Sequence, residues 1–281
     1  MKMLSCVQNW HFGYMKTLLC VQNWHFGYMN GLTIRICRNT TMMKARKMMI
    51  LLAACLLLMS NGQAWGGTRM LHGKQQEQKL SATAKSLARQ GYVNIKDVDK
   101  SIQVSLMYAR SDNFCGKVLY GDLKEAYLHP QAAKALKKAQ TYLKTLRPDL
   151  SLKIYDASRP MSIQQKMWNV VKGTKNDIYV SNPAHGGGMH NYGMAVDITL
   201  CNEKGDTLDM GTKVDYFGKA AHIDQEVQLV ASKRISKQAL RNRELLRKVM
   251  RHAGWKPLRT EWWHFNLCSR ATAKKYYKVI K

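Results

Sequence analysis

From Ala195 to Leu200 the chain alternates: Val196, Ile198 and Leu200 share one face of an extended strand, and Ala195, Asp197 and Thr199 share the other. A β-branched apolar run of this kind belongs inside a sheet. A carboxylate at its centre is costly unless a positive charge meets it. Three glycines, Gly186, Gly187 and Gly188, precede the run and lead into His190, seven residues before Asp197. The fold must therefore place a cation where this strand lies.

The surrounding pattern predicts one α+β domain over 80–281. A short helix is expected over 80–90 and a strand over 102–109 ("IQVSLMYA"), with loop and a short extended segment over 111–123. His129 to Leu146 carries Ala132, Ala133, Leu136, Ala139 and Leu143 on one helical stripe, with Pro148 beyond its end. A strand over 150–157 is followed by "SRP" and a helix from Ser162 to about Lys172, then by a long Gly/Asn/Pro-rich loop over 173–188. Ser236 to Ala253 reads as helix with Gly254 as its stop, "EWWHFNL" (261–267) as the last strand, and a short basic helix closes the chain. No Pro/Gly/Ser linker interrupts this span.

The N-terminal region has a different character. "CVQNWHFGYM" occurs at 6–15 and again at 20–29, too few copies for a solenoid. Residues 1–41 are read as upstream translation from an early start codon. Residues 42–64 have the form of a secretory signal peptide: basic Lys44, Arg46 and Lys47, an apolar stretch from Met48 to Met59, and small or polar residues to Ala64. That stretch is too short to span a bilayer. The expected destination is the periplasm or cell envelope, with 65–79 as a flexible lead-in. "LAAC" at Cys55 resembles a lipoprotein box, but the apolar run continues through Leu58, so cleavage near Ala64 is preferred over a lipid anchor.

Export would leave Cys115, Cys201 and Cys268, an odd number with no CxxC pair, which removes a zinc knuckle. The chain carries 45 Lys and Arg against 18 Asp and Glu. These basic residues are spread through helices without interleaved aromatics, so nucleic acid is not an expected partner and an anionic envelope is the surrounding they suit.

Two histidines lie beside acids in extended contexts: His190 with Asp197, and His264 with Glu261. His190, Asp197 and His264 would make three ligands with a fourth position left for water, the arrangement of catalytic rather than structural zinc. Such an ion would offset the charge of Asp197. Glu261 is three residues from His264, so on a regular strand the two would face opposite ways. It must sit at the start of the strand or on a bulge to serve as general base toward water activated by the metal. Arg159, after a strand end and stiffened by Pro160, is the candidate for an oxyanion. His72, His129, His185 and His222 are competitors that spacing alone does not remove. HExxH, GxSxG and Walker A motifs are absent.

"YDASRP" (155–160), "MHNYGMAVDITL" (189–200), "DMGTKVDYFGKAAH" (209–222) and "NRELLRKVMRHAGWKPLRTEWWHF" (242–265) together resemble the D-alanyl-D-alanine dipeptidases, zinc peptidases of the vancomycin-resistance type. The resemblance spans roughly 95–268. It implies a compact domain with a central antiparallel sheet flanked by helices, shared with zinc D,D-carboxypeptidases and the hedgehog signalling domain. It implies one zinc on His190, Asp197 and His264, Glu261 as base, and Arg159 at the oxyanion. It also places Asp215 against the substrate ammonium group and Tyr108 in the pocket wall.

One position departs from the family pattern. A serine that helps bind substrate usually stands two residues before the first ligand histidine, and here that residue is Gly188. The expectation is one hydrogen bond fewer, recoverable by Gly188→Ser. Besides D-Ala-D-Ala hydrolysis, the same resemblance allows a peptidoglycan endopeptidase or D,D-carboxypeptidase, or a silent zinc-binding module.

Overall fold

Seven consecutive residues, Ala195–Cys201, are buried on both faces, and the rest of the fold is arranged around this strand. The structure is a computed structural model that describes residues 80–281. The repeat at 6–29, the leader at 42–64 with Cys55, the lead-in at 65–79 and His72 lie outside the described residues.

In chain order the elements are α1 (Ala82–Arg89), β1 (Val93–Asn94), α2 (Ile95–Val98), β2 (Gln103–Val104), β3 (Tyr127–Leu128), α3 (Pro130–Leu146), β4 (Ser151–Asp156), α4 (Met161–Val171), β5 (Ala195–Cys201), α5 (Glu226–Ala231), α6 (Lys237–His252), β6 (Lys256–Leu258), β7 (Glu261–Asn266) and α7 (Arg270–Tyr276). Side chains cap several helices as the sequence anticipates. Ser81 Oγ accepts from Ala84 N–H, Ser236 Oγ from Ala239 N–H, and Gly254 turns the chain after α6 at φ +91°.

The main sheet has five strands in the order β2-β4-β5-β7-β6. It is α+β, but not wholly antiparallel as expected: β2 runs parallel to β4 at one edge. The physical cause is the connection, since α3 lies between the two strands and a helical crossover returns the chain in the same direction. Helices α3 and α6 pack on each other, α3 against β4 and α6 against β5. Among the described residues no helix is long and apolar enough to cross a membrane.

Several local expectations change. Only Gln103–Val104 of 102–109 is strand, and Met107–Ala109 forms a 3₁₀ turn. Ser105 N–H makes the final bond to Ile154 O, while the Arg110 guanidinium bonds Ser105 O, so the chain leaves the sheet there. The 173–188 loop contains the 3₁₀ turns Asp177–Tyr179 and Pro183–His185. Strands β1, β3 and β6 and helices α2 and α5 lie where no element was expected, and the extended segment expected within 111–123 does not form a strand.

Candidate active site

Asp197 points from β5 and meets His264 directly across the β5/β7 ladder, where the two are paired in register. Paired residues on adjacent strands share a face. Asp197 Oδ1 lies 3.0 Å from His264 Nδ1 and 3.4 Å from His190 Nε2, and the two ring nitrogens are 3.2 Å apart. His190 comes from the 3₁₀ turn Met189–Tyr192, which ends at Gly193 with φ +63°. A Cβ at Gly193 would fall 2.5 Å from the Tyr92 ring and 2.9 Å from His129 N, so both conformation and space require glycine.

The far side of each imidazole decides what the near side can do. His190 Nδ1 donates to the Ala157 carbonyl at 2.8 Å, so in the neutral ring Nε2 is the free acceptor. His264 Nε2 bonds Asn266 Oδ1 at 2.9 Å, leaving Nδ1 bare in the same way. Two lone pairs and a carboxylate oxygen therefore converge, all within 4.8 Å of one another. Three acceptors at such distances repel unless a cation sits among them. The donor set, two imidazoles and one carboxylate with their outer nitrogens tied back, fits zinc. Burial raises the Asp197 carboxyl, but His190 and His264 outweigh it and hold it well below the usual range. Burial likewise lowers His190, and Asp197 and Asp156 more than offset this.

Arg159 is buried beside this group. Its Nε and Nη2 donate to Asp156 Oδ2, its Nη1 donates to Gln164 Oε1 at 2.9 Å, and Nη2 is 4.0 Å from Asp197 Oδ2. Three of five guanidinium N–H groups are thus committed, leaving one on each terminal nitrogen. A register shift between Ile154 and Asp156 brings Asp156, rather than Tyr155, opposite Asp197. This bulge turns the Asp156 carboxylate to the site face, where Tyr120 also donates to it. Asp156, Gln164, Tyr120 and Asn266 were not anticipated. The first stands three residues before Arg159 in a segment whose parity, without the bulge, points it away.

Glu261 is the first residue of β7, beyond the end of the β5/β7 pairing and opposite Leu258 after a register shift in the β6/β7 ladder. That placement matches the requirement set by its spacing from His264. Burial pushes its carboxyl up to about 7; the Asp197 and Asp215 charges push the same way. Asp215 is likewise raised to about 7, by burial first and then by Asp197. It is partly buried, at φ +63°, a left-handed conformation rare for a non-glycine residue. Tyr108, turned inward by the 107–109 turn, donates its hydroxyl to Asp215 Oδ2 at 2.8 Å, and the Arg159 guanidinium lies 5.2 Å from the Tyr108 ring centre.

All seven residues singled out in the sequence, Tyr108, Arg159, His190, Asp197, Asp215, Glu261 and His264, line one cavity of about 410 Å³. Phe114, Tyr179 and Phe217 form an aromatic wall of the same cavity, with Tyr179 stacked on Phe217 at 4.8 Å. The competing histidines among the described residues sit elsewhere. His129 caps α3, His222 faces Asp224, and His185 closes a loop turn.

The family described as D-ala-D-ala dipeptidase matches residues 88–281. The chain is 31% identical to the D-alanyl-D-alanine dipeptidase of Escherichia coli (strain K12) over 180 residues, covering 64% of this chain and 86% of that protein. It is 25% identical to the D-alanyl-D-alanine dipeptidase of Enterococcus faecalis over 203 residues, 66% of this chain and 96% of the relative. The Synechocystis protein of the same name is 27% identical over 173 residues, 51% of this chain and 70% of the relative.

Proposed function

Since the chain belongs to the D-alanyl-D-alanine dipeptidase family, we propose that it is a zinc-dependent dipeptidase that hydrolyses D-Ala-D-Ala. The observation that carries the reading is the convergence of His190, Asp197 and His264 in the cavity that also holds Glu261, Arg159 and Asp215. A zinc ion on those three ligands supplies Lewis-acid activation of water and of the scissile carbonyl. Glu261, raised to about 7, is matched to taking a proton from the attacking water and returning it to the leaving amine. The two uncommitted N–H groups of Arg159 are donors for the developing oxyanion, held in place by Asp156 and Gln164. Asp215, oriented by the Tyr108 hydroxyl, pairs with the free ammonium group and so selects a dipeptide over a longer chain.

With the leader at 42–64 read as a signal peptide, the substrate is met outside the cytoplasm, as free dipeptide or as fragments of wall turnover. The test is incubation of zinc-loaded mature protein with D-Ala-D-Ala, N-acetyl-D-Ala-D-Ala and a muropeptide, with products identified by mass. Cleavage of the free dipeptide alone is expected. Equal cleavage of the acetylated peptide would make the protein an endopeptidase or carboxypeptidase instead.

A further inference from the structure

Gly188 has an extended backbone, φ −104° and ψ −177°, that any residue can adopt. Its requirement for glycine is one of space. A Cβ at 188 would lie 2.9 Å from Ser181 Oγ and 3.3 Å from Ser181 Cβ. The volume in front of Gly188 is already occupied, and what occupies it is a hydroxyl. Ser181 and Gly188 both line the active cavity.

The backbone of Ser181 is held firmly. Its carbonyl accepts from Gln164 Nε2 at 2.8 Å, and the same buried Gln164 accepts from Arg159 Nη1 at 2.9 Å. One amide therefore ties Ser181 to the guanidinium. The Ser181 hydroxyl itself makes no hydrogen bond among the described residues, nor is it sealed from solvent. It is an unspent donor on the wall of the cavity. The loop that carries it is also pinned to a cationic rim: Arg270 Nη2 donates to His185 O at 3.0 Å, and Arg270 and Lys256 line the cavity. Asp215 is assigned to the ammonium group, and the dipeptide's carboxylate needs donors of its own, which Ser181 and the cationic Arg270 and Lys256 offer on the same cavity wall.

We propose that Ser181 is a substrate-binding residue, its Oγ–H donating to the terminal carboxylate of the dipeptide. This rests on reading the cavity as a dipeptidase site. The side chains at 188 and 181 compete for one volume, so a side chain at 188 pushes the Ser181 hydroxyl out of the place it occupies.

The experiment is steady-state kinetics on D-Ala-D-Ala with Ser181→Ala, Gly188→Ser and the swapped pair Ser181→Gly/Gly188→Ser. Calorimetric binding of D-Ala-D-Ala to Glu261→Gln, with and without Ser181→Ala, runs alongside. Ser181→Ala should raise KM about three- to tenfold with kcat, metal content and Tm little changed. Gly188→Ser alone should weaken binding, because it displaces Ser181, and the swap should recover most of the loss. Turnover by the parent with KM unaltered in Ser181→Ala, or a single Gly188→Ser that tightens binding, would overturn the assignment and leave the dipeptidase reading intact. If the parent neither turns over nor binds D-Ala-D-Ala, both readings fall.

Discussion

Asp197 and His264, 67 residues apart, are direct partners across two antiparallel strands, and their side chains meet at 3.0 Å. With His190 Nε2 added, three candidate ligand atoms lie within 4.8 Å of one another. Protein purified without chelator should therefore carry about one equivalent of zinc. Chelation should lower Tm by removing the ion that holds the acceptors together. His264→Ala should lose metal and activity together, and a variant retaining both would refute the ligand set.

Glu261 tests the proton path separately from the metal. Glu261→Gln preserves size and hydrogen bonding but has no basic oxygen. Metal content should stay near one equivalent while kcat falls by about 10²–10⁴. A near-parental rate would mean that another group accepts the proton.

Asp215 gives a pH dependence with a definite sign. In the folded protein its carboxyl is raised from 3.8 to about 7, so the folded form holds the proton more tightly. Stability then falls as pH rises through that interval, and the loss is complete above the upper value. Asp215 is only partly buried, so solvent screening keeps the effect below what the full shift would give. Metal-free Asp215→Asn should therefore melt above the parent at pH 8 and together with it near pH 4. Catalysis should move the other way: KM for D-Ala-D-Ala rises as the parent is taken below about pH 7, and the Asn variant stays poor throughout. Equal melting of the two proteins at pH 8 would show that ionised Asp215 carries no penalty.

The same strand pairing predicts the state of two thiols. Cys201 lies four residues beyond Asp197, and Cys268 four beyond His264, so in antiparallel strands they diverge. Eight residues of strand correspond to roughly 26 Å, against about 7 Å that a disulfide tolerates between Cα atoms. Both cysteines are free in the structure. Non-reducing peptide mapping should find no Cys201–Cys268 linkage, and its detection would contradict the β5/β7 register.

What local periodicity can carry was legible in the chain itself. Strand parity places Asp197 and Thr199 on one face of β5, a serine and a glycine bracket α6, and the three-residue spacing from His264 requires Glu261 at the start of a strand or on a bulge. These follow from dihedral geometry within a few residues, which neighbours largely determine. The family resemblance of the motifs points to Tyr108 and Asp215, whose hydrogen bond joins positions 107 residues apart.

Other relationships exist only after the whole chain has packed. The parallel placement of β2, the bulge that turns Asp156 beside Asp197, and the clamp of Arg159 between Asp156 and Gln164 have no local signature. Ser181 is the sharpest case. Read along the chain, Gly188 is a missing hydroxyl, and in three dimensions its missing side chain makes room for one. Residue volumes compete across distances that sequence spacing does not encode, and close packing decides which side chain fills each space.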